Sequence, residues 1–529
     1  RRGRLLDLDQ IPSPYLNGIL DEFLANPDYC PIIETNRGCP YMCTFCGWGA
    51  MGKSKSAMFG QDRVTAELKY IVENNVSTTP YLYIGDANFG LFPRDVEIAQ
   101  FLASLQETHG FPQNVHLYFA KNSSEKVVRI AEILKGMTPI SLSRQTQNPE
   151  VLENIKRSNI SIDTFESLAR LAKDLGVDSS VELIFGLPGE SKESFYEGVR
   201  EIVDKNVDGL HIFPALILNG SEMTSRASRE RFGLKGEWRQ IDGCFGTFGP
   251  VKAMEFEEVV TSTNVMTRDD YFEFRVFHFI QILFLDTKIY RDVEVLLGQD
   301  VSLVDLILDL IENYRKAPKP FRSMIDELLQ KANDELHSEM PREFTEEAID
   351  AVTESSVKLN AYYLCKILHG EDVRMAFHEF LFERLRVVGD ATEDEIAGVL
   401  EFIEASIFPF DGTTHRDVKM SIDAARFALR TTRKNVDLSE YLLAKPQTFH
   451  YVKPFTYDEF VSTNYSDRPL VDRIYEILIH HTHETFRNTL IYRLQGKVEE
   501  DVSPEMQSGS RWVETEEGRL IRMEGGWLY

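Results

Sequence analysis

Cysteine is scarce in this chain, with six in 529 residues. That is too few for a disulfide scaffold, so reduced thiols and a cytoplasmic setting are expected. Long apolar runs are missing as well. The most apolar stretch, FHFIQILFL at 277–285, falls far short of the roughly 20 residues that span a bilayer. It reads as a buried helix, and no membrane partner is expected. Positive charge is in deficit: 58 Lys and Arg stand against 84 Asp and Glu, a formal net charge of -26. Broad phosphate-backbone binding needs a basic surface, so nucleic acid is not an expected partner. No internal repeat, low-complexity tract or signal peptide is visible. The chain opens with Arg1 rather than Met, as a chain cropped at its N-terminus would.

What is present is the composition of an ordinary globular protein, 43% hydrophobic and 27% charged, long enough for two or three domains. Residues 1–30 read as a connector, because IPSP breaks any helix. From 31 the pattern alternates. Apolar runs at 31–35, 81–85, 115–120, 139–143, 179–185 and 209–217 read as strands, and helical periods lie between them. DRVTAELKYIVENN places Val64, Leu68 and Ile71 on one side, and SEKVVRIAEILKG runs from a Ser cap to Gly136. About six strand–helix units over 31–255 imply an α/β fold with a parallel sheet and helices outside. The strands are nearly all apolar, as expected when both faces are buried. An open doubly wound sheet and a partial barrel both fit, and either places functional loops at the strand C-terminal ends. Residues 256–529 read as a mostly α-helical C-terminal region. FGLKGEWRQIDGCFGTFGP, at 232–250, reads as a polar loop near the boundary.

Three of the six cysteines crowd into one loop, ETNRGCPYMCTFCGWG, directly after the first strand: Cys39, Cys43 and Cys46. Buried filler is one reading, since free cysteine is often buried, but a loop rich in Gly, Pro and Asn suits wrapping better than packing. Zinc needs a fourth ligand. The nearest cysteine, Cys30, starts at the other end of the first strand, and no His is local. A four-iron cluster held by three thiolates, with one iron left open, fits better.

CPYMCTFC is C-x3-C-x2-C with Phe45 before the last cysteine, and it resembles the signature of the radical S-adenosylmethionine (radical SAM) enzymes. The resemblance covers about 31–220. It implies a partial (β/α)6 TIM-like barrel, a [4Fe-4S] cluster on Cys39, Cys43 and Cys46, and S-adenosyl-L-methionine chelated by the open iron. It implies a 5′-deoxyadenosyl radical that takes hydrogen from a small-molecule substrate, with an electron donor such as flavodoxin or ferredoxin. Carried over position by position, it makes Gly85 and Asp86 of IGDANFG the counterpart of the family's GGE stretch, with Asp replacing Glu. Lys121, Asn122, Ser143, Arg144 and Gln145 stand where the family contacts ribose and the methionine carboxylate. GLPGES lies near the nucleoside, and Phe213 and Leu216 flank adenine.

The connector DLDQIPSPYLNGILDEF, with GDANFG, FPRDVEIAQFL and AKNSSEKVVRIAEIL, resembles the cobalamin-binding branch of that superfamily. No cobalamin domain and no D-x-H-x-x-G motif lie in these residues. The resemblance therefore implies a cobalamin-dependent methyltransferase acting on a small-molecule or natural-product substrate, its cobalamin domain preceding the connector, and a non-methylating radical SAM enzyme or a non-catalytic zinc or cluster module remain the alternatives. The helical C-terminal region is the expected lid over the barrel mouth. IHHTHETF holds His480, His481 and His483, but only His480 and His483 share a helix face, so a helix end is the plainer reading. Cys365 reads as helix core and Cys244 as a loop thiol.

Overall fold

The computed structural model describes residues 7–26, 29–48, 56–76, 81–121, 124–138, 140–160, 165–170, 179–205, 209–248, 250–341, 359–407, 415–428, 430, 432–452, 511–514 and 520–523. The chain divides into two compact units. One comprises Arg1–Gly236 and Glu258–Thr267, the other Glu237–Glu257 and Arg268–Tyr529.

Six parallel strands build the first unit. β1 (Ile32–Ile33), β2 (Tyr81–Ile84) and β3 (Asn114–His116) form one three-stranded sheet in that order. β4 (Ile140–Gln145), β5 (Ser179–Phe185) and β6 (Gly209–Pro214) form another. The N–H of Val115 in β3 donates to the Met137 carbonyl, just ahead of β4, at 2.7 Å. Between the strands run α1 (Gln61–Asn74), α2 (Arg94–His109), α3 (Ser124–Ile133), α4 (Pro149–Asn154) and α5 (Lys192–Val203), with residues 165–170 also helical. This is the expected partial, TIM-like barrel.

The helices form for local reasons. Asn148 caps α4, its side chain accepting from the N–H groups of Glu150 and Val151, and Pro149 follows at the first turn. Ser191 caps α5 by accepting from the Ser194 N–H. Val64, Leu68 and Ile71 of α1 and Ile98 and Leu102 of α2 are fully buried against Leu82, Ile84 and Val115. Each such side chain stabilises the fold by about 1.5–3 kcal/mol.

The first three strands bury only one face. Leu82 and Ile84 lie under helices, while Ile32, Tyr81 and Tyr83 stay exposed on the other side. Near-continuous hydrophobicity had suggested burial on both faces, but a barrel that does not close leaves its inner wall open. β6 also stops earlier than the 209–217 run suggests. Pro214 has no N–H to continue the ladder. Beyond it the Ala215 N–H still donates to Phe185 of β5 at 2.8 Å, while the Ala215 carbonyl and Ile217 pair with the segment 258–260: Ile217 N–H donates to Glu258 and Val260 N–H to Ala215, both at 2.8 Å.

The stretch 232–250 is not a loop. Lys235–Phe248 (β7) pairs with Val251–Ser262 (β8), and its glycines masked a long ribbon. The second unit otherwise packs α6 (Arg268–Gln281), α7 (Leu303–Asn313), α8 (Lys319–Asp334), α9 (Leu359–His369), α10 (Glu371–Val388) and α11 (Glu393–Ser406). A four-stranded antiparallel sheet, β9 (His415–Ile422), β10 (Leu442–Val452), β11 (Arg511–Glu514) and β12 (Leu520–Met523), joins them. The helical periods announced the first part, whereas the irregular composition after 440 concealed the sheet. No helix among the described residues is long and apolar enough to cross a membrane.

Candidate active site

The cysteine loop leaves the C-terminal end of β1 and is braced at its root. Asn36–Arg37 pairs antiparallel with Ala57–Met58, which closes the intervening loop at its base. Asp86, just past β2, is 1% exposed. Its Oδ1 accepts from the backbone N–H of Thr35 at 2.7 Å and of Asn36 at 3.1 Å. Its Oδ2 accepts from the Asn36 amide at 2.6 Å and from the Thr35 hydroxyl. Burial raises the carboxyl from its ordinary 3.8 to about 6, while the hydrogen bonds from Thr35 and Asn36 pull it down. From the other side, Arg94 at the start of α2 donates to the Thr35 carbonyl at 2.6 Å and to that of Phe59. Gly38 takes a φ of 98° at the turn into the loop, a conformation glycine adopts without strain.

Inside the loop, Cys39 and Cys43 are buried and Cys46 is half-buried. The Asn88 amide, two residues past Asp86, donates to the Cys39 sulfur at 3.1 Å. The Cys46 N–H donates to the Cys43 carbonyl at 3.1 Å. Between these cysteines, the Thr44 N–H donates to Ile155 and its carbonyl accepts from Met223, each at 3.0 Å. Lys156 and Glu222 pair beside this bridge at 2.6 Å. All three thiols act electrostatically on Lys121, whose ammonium burial pushes down, with Arg157 adding to the effect. Arg157, 8% exposed, feels Cys43 and Cys46.

Among the described residues, no group of three or more His, Cys, Asp or Glu side chains is drawn together as a metal-ion site. A single tetrahedral zinc at about 2.3 Å from each sulfur would need those sulfurs roughly 3.8 Å apart. An iron–sulfur core sets its thiolates around a larger body. Three thiols on one braced loop, all beside Lys121 and two of them beside Arg157, fit that donor chemistry. Cys30 takes no part: its thiol donates to the carbonyl of Tyr81, the first residue of β2, at 3.0 Å, at the end of the sheet away from the loop. Cys244 is exposed and Cys365 buried. His480, His481, His483 and Asn122 lie outside the described residues.

The remaining residues singled out in the sequence are distributed unevenly. Gly85 ends β2, its N–H donating to Ile33 at 2.8 Å. A Cβ there would meet neighbours only at ordinary contact, 3.5 Å and beyond, so packing does not demand glycine. Phe45 is half-buried, Leu216 half-buried and Phe213 51% exposed. Ser143 donates to Glu182 on β5. Arg144 is engaged elsewhere. The register of β4 against β5 shifts between Ser143 and Gln145, and Gln145 takes a φ of 68°. Arg144 is thus the extra residue of a bulge. Its guanidinium bonds Gln147 at 2.5 Å and the Ile160 carbonyl at 3.1 Å, and it lies 5.2 Å over the Phe165 ring. Those partners use it where the sequence placed it against a cofactor carboxylate. Asn159 holds the bulge by donating to the carbonyls of Arg144 and Thr146 at 2.9 and 3.0 Å. In GLPGES, Glu190 is buried and accepts from the Thr146 hydroxyl, and burial lifts its carboxyl to about 8.

Sequence reasoning missed Arg157, Asn88 and the inner wall. Ile32, Tyr83 and His116 stand in register across β1–β3, and Ser143, Glu182 and His211 across β4–β6. Tyr83 lies 4.7 Å from His116, and His116 lies 5.2 Å edge-on to Tyr118. The charge of Glu182 reaches both His116 and Tyr118. Exposed aromatics at alternate positions of an apolar run were the available signal.

Residues 33–202 match the radical SAM superfamily, and this stretch is a radical SAM domain. The chain is 35% identical over 315 residues to the cobalamin-dependent radical SAM methyltransferase TokK of Streptomyces tokunonensis, covering 57% of this chain and 44% of that protein. It is 33% identical over 295 residues to the 2-(S-pantetheinyl)-carbapenam-3-carboxylate methyltransferase of Streptantibioticus cattleyicolor, covering 53% of this chain and 42% of that one. The chain thus spans less than half the length of these relatives. Among solved structures, the radical S-adenosylmethionine methyltransferase TsrM from Kitasatospora setae, with cobalamin and a [4Fe-4S] cluster bound, superposes with a TM-score of 0.32 at 16% identity, over 37% of this chain and 36% of that one.

Proposed function

We propose that the chain is the catalytic part of a radical SAM enzyme that methylates an unreactive carbon of a small molecule with the help of cobalamin. The observation that carries the reading is the braced loop, which presents Cys39, Cys43 and Cys46 at the C-terminal end of β1 beside Lys121 and Arg157. Those three thiols would hold a [4Fe-4S] cluster. When bound, the cluster and S-adenosyl-L-methionine supply a one-electron cleavage of the sulfonium that yields a 5′-deoxyadenosyl radical. The chain's own residues do the rest. Asp86, Arg94 and Asn88 fix the loop. Gly85 leaves room at the end of β2 for a close approach. Tyr83, His116, Tyr118 and Phe213 offer a substrate an aromatic wall, with the Glu182 carboxylate as a hydrogen-bond acceptor beside it. Methyl transfer and cobalamin are supported by the activities named for the two curated relatives. A low-potential flavodoxin or ferredoxin suits as electron donor.

Anaerobic reconstitution with iron and sulfide tests this. About four irons per chain, and 5′-deoxyadenosine released from S-adenosyl-L-methionine under dithionite, are expected. One tightly held zinc and no cleavage would overturn the reading. With cobalamin supplied, on this chain or a longer form of it, transfer of labelled methyl separates a methyltransferase from a non-methylating enzyme.

A further inference from the structure

The thiol loop sits among positive charge in a protein whose formal net charge is -26. Arg157 follows α4 directly and is almost fully buried. Its Nη2 donates to the Ser143 carbonyl and its Nε to Asn159 at 3.0 Å. Among the described residues Nη1 is buried with no hydrogen-bond partner at ordinary length, and Cys43 is the cysteine beside the guanidinium. A guanidinium has five donors, and leaving one unpaired in the interior is costly. Lys121 shares the place, and the two cations repel each other. The carboxylate whose charge reaches Arg157 is Glu182, which Ser143 already engages. Two neighbouring cations in a poorly solvated spot are stable when a negative body lies against both. The groups in common to Lys121 and Arg157 are the thiols of Cys43 and Cys46.

We infer that Arg157, with Lys121, is a positioning residue that places positive charge and one free N–H donor against the cluster's sulfur ligands and so raises its reduction potential. The inference rests on the cluster reading above. Reducing the bound cluster takes one electron from a low-potential donor, breaks no bond and makes the site one charge more negative. A nearby cation lowers the cost of that added charge, and net charge and hydrogen bonds to sulfur are what set such potentials. Nothing in the motif spacing announces Arg157, which lies 111 residues beyond Cys46 and comes to the loop because Ile155, two residues before it, accepts from the Thr44 N–H at 3.0 Å.

The test is an EPR-monitored redox titration of the anaerobically reconstituted chain, with Arg157→Gln, Arg157→Lys and Lys121→Gln alongside. The midpoint should fall in Arg157→Gln, stay near wild type in Arg157→Lys and fall again in Lys121→Gln, at unchanged iron content. Lys121→Gln carries the test if Arg157→Gln fails to fold after losing its bonds to Ser143 and Asn159. An unchanged midpoint in the glutamine variants that load iron overturns the inference, as does a shift in Arg157→Lys as large as in Arg157→Gln. A wild-type chain that binds no cluster would refute the cluster reading instead.

Discussion

Asp86→Ala would remove the acceptor that ties β2 to the root of the cysteine loop. It strands the N–H groups of Thr35 and Asn36 and the Asn36 amide in a buried place. Each unsatisfied donor costs roughly 1–3 kcal/mol, so about 6 kcal/mol is at risk. Against this stands the cost of holding a buried carboxylate ionised. The rise from 3.8 to about 6, at about 1.36 kcal/mol per pKa unit, offsets about 3 kcal/mol at neutral pH. A net loss of roughly 3 kcal/mol is expected near pH 7.5, read by urea unfolding of the first unit's transition. The folded pKa is raised, so the stability linked to Asp86 protonation is complete below 3.8 and is lost as pH rises through 6. Acidification therefore favours wild type. The gap between wild type and variant should widen by about 0.8 kcal/mol between pH 7.5 and pH 5.5, a pH still above the isoelectric point of about 5.0. Iron loading should fall with the loosened loop. A variant as stable as wild type at both pH values, or a gap that narrows on acidification, would refute the reasoning.

Cys43→Ala should abolish both iron loading and cleavage of S-adenosyl-L-methionine, since two thiols cannot hold the group that three are needed for; iron assay and nucleoside chromatography check it. Leu68→Ala empties a fully buried position in α1 and should cost about 2–5 kcal/mol in urea unfolding. In the second unit, His378 on α10 shares a 2.8 Å hydrogen bond with the Tyr290 hydroxyl, and burial, aided by the Arg374 charge, pushes its pKa down to about 4. Its neutral form therefore contributes stability that is complete above 6.5 and is lost as pH falls toward 4. Between pH 7.5 and 5.5 wild type should lose about 1.3 kcal/mol more than His378→Gln in the same unfolding measurement.

The strand–helix alternation was legible because both periods are local properties: apolar residues spaced for a helix or bunched for a strand declare themselves within a dozen residues. The cysteine loop was legible for the same reason, since Cys39, Cys43 and Cys46 lie within eight residues of chain and their spacing sets which groups they can grip. The ribbon β7–β8 and the sheet after 415 were hidden because their pairing depends on partners distant along the chain and on a composition that local pattern does not separate from loop.

Sequence alone therefore determined the order of the elements and the crowding of three thiols into one loop. Tertiary structure decided what surrounds them. It turned Arg144 toward Gln147 and Phe165 by a bulge, committed Asp86 to Thr35 and Asn36, and brought Arg157 and Asn88 to the sulfurs. The physical reason is range. A thiol's spacing is written in covalent geometry, whereas the charge and hydrogen bonds it meets come from segments that approach only when the sheets and helices pack.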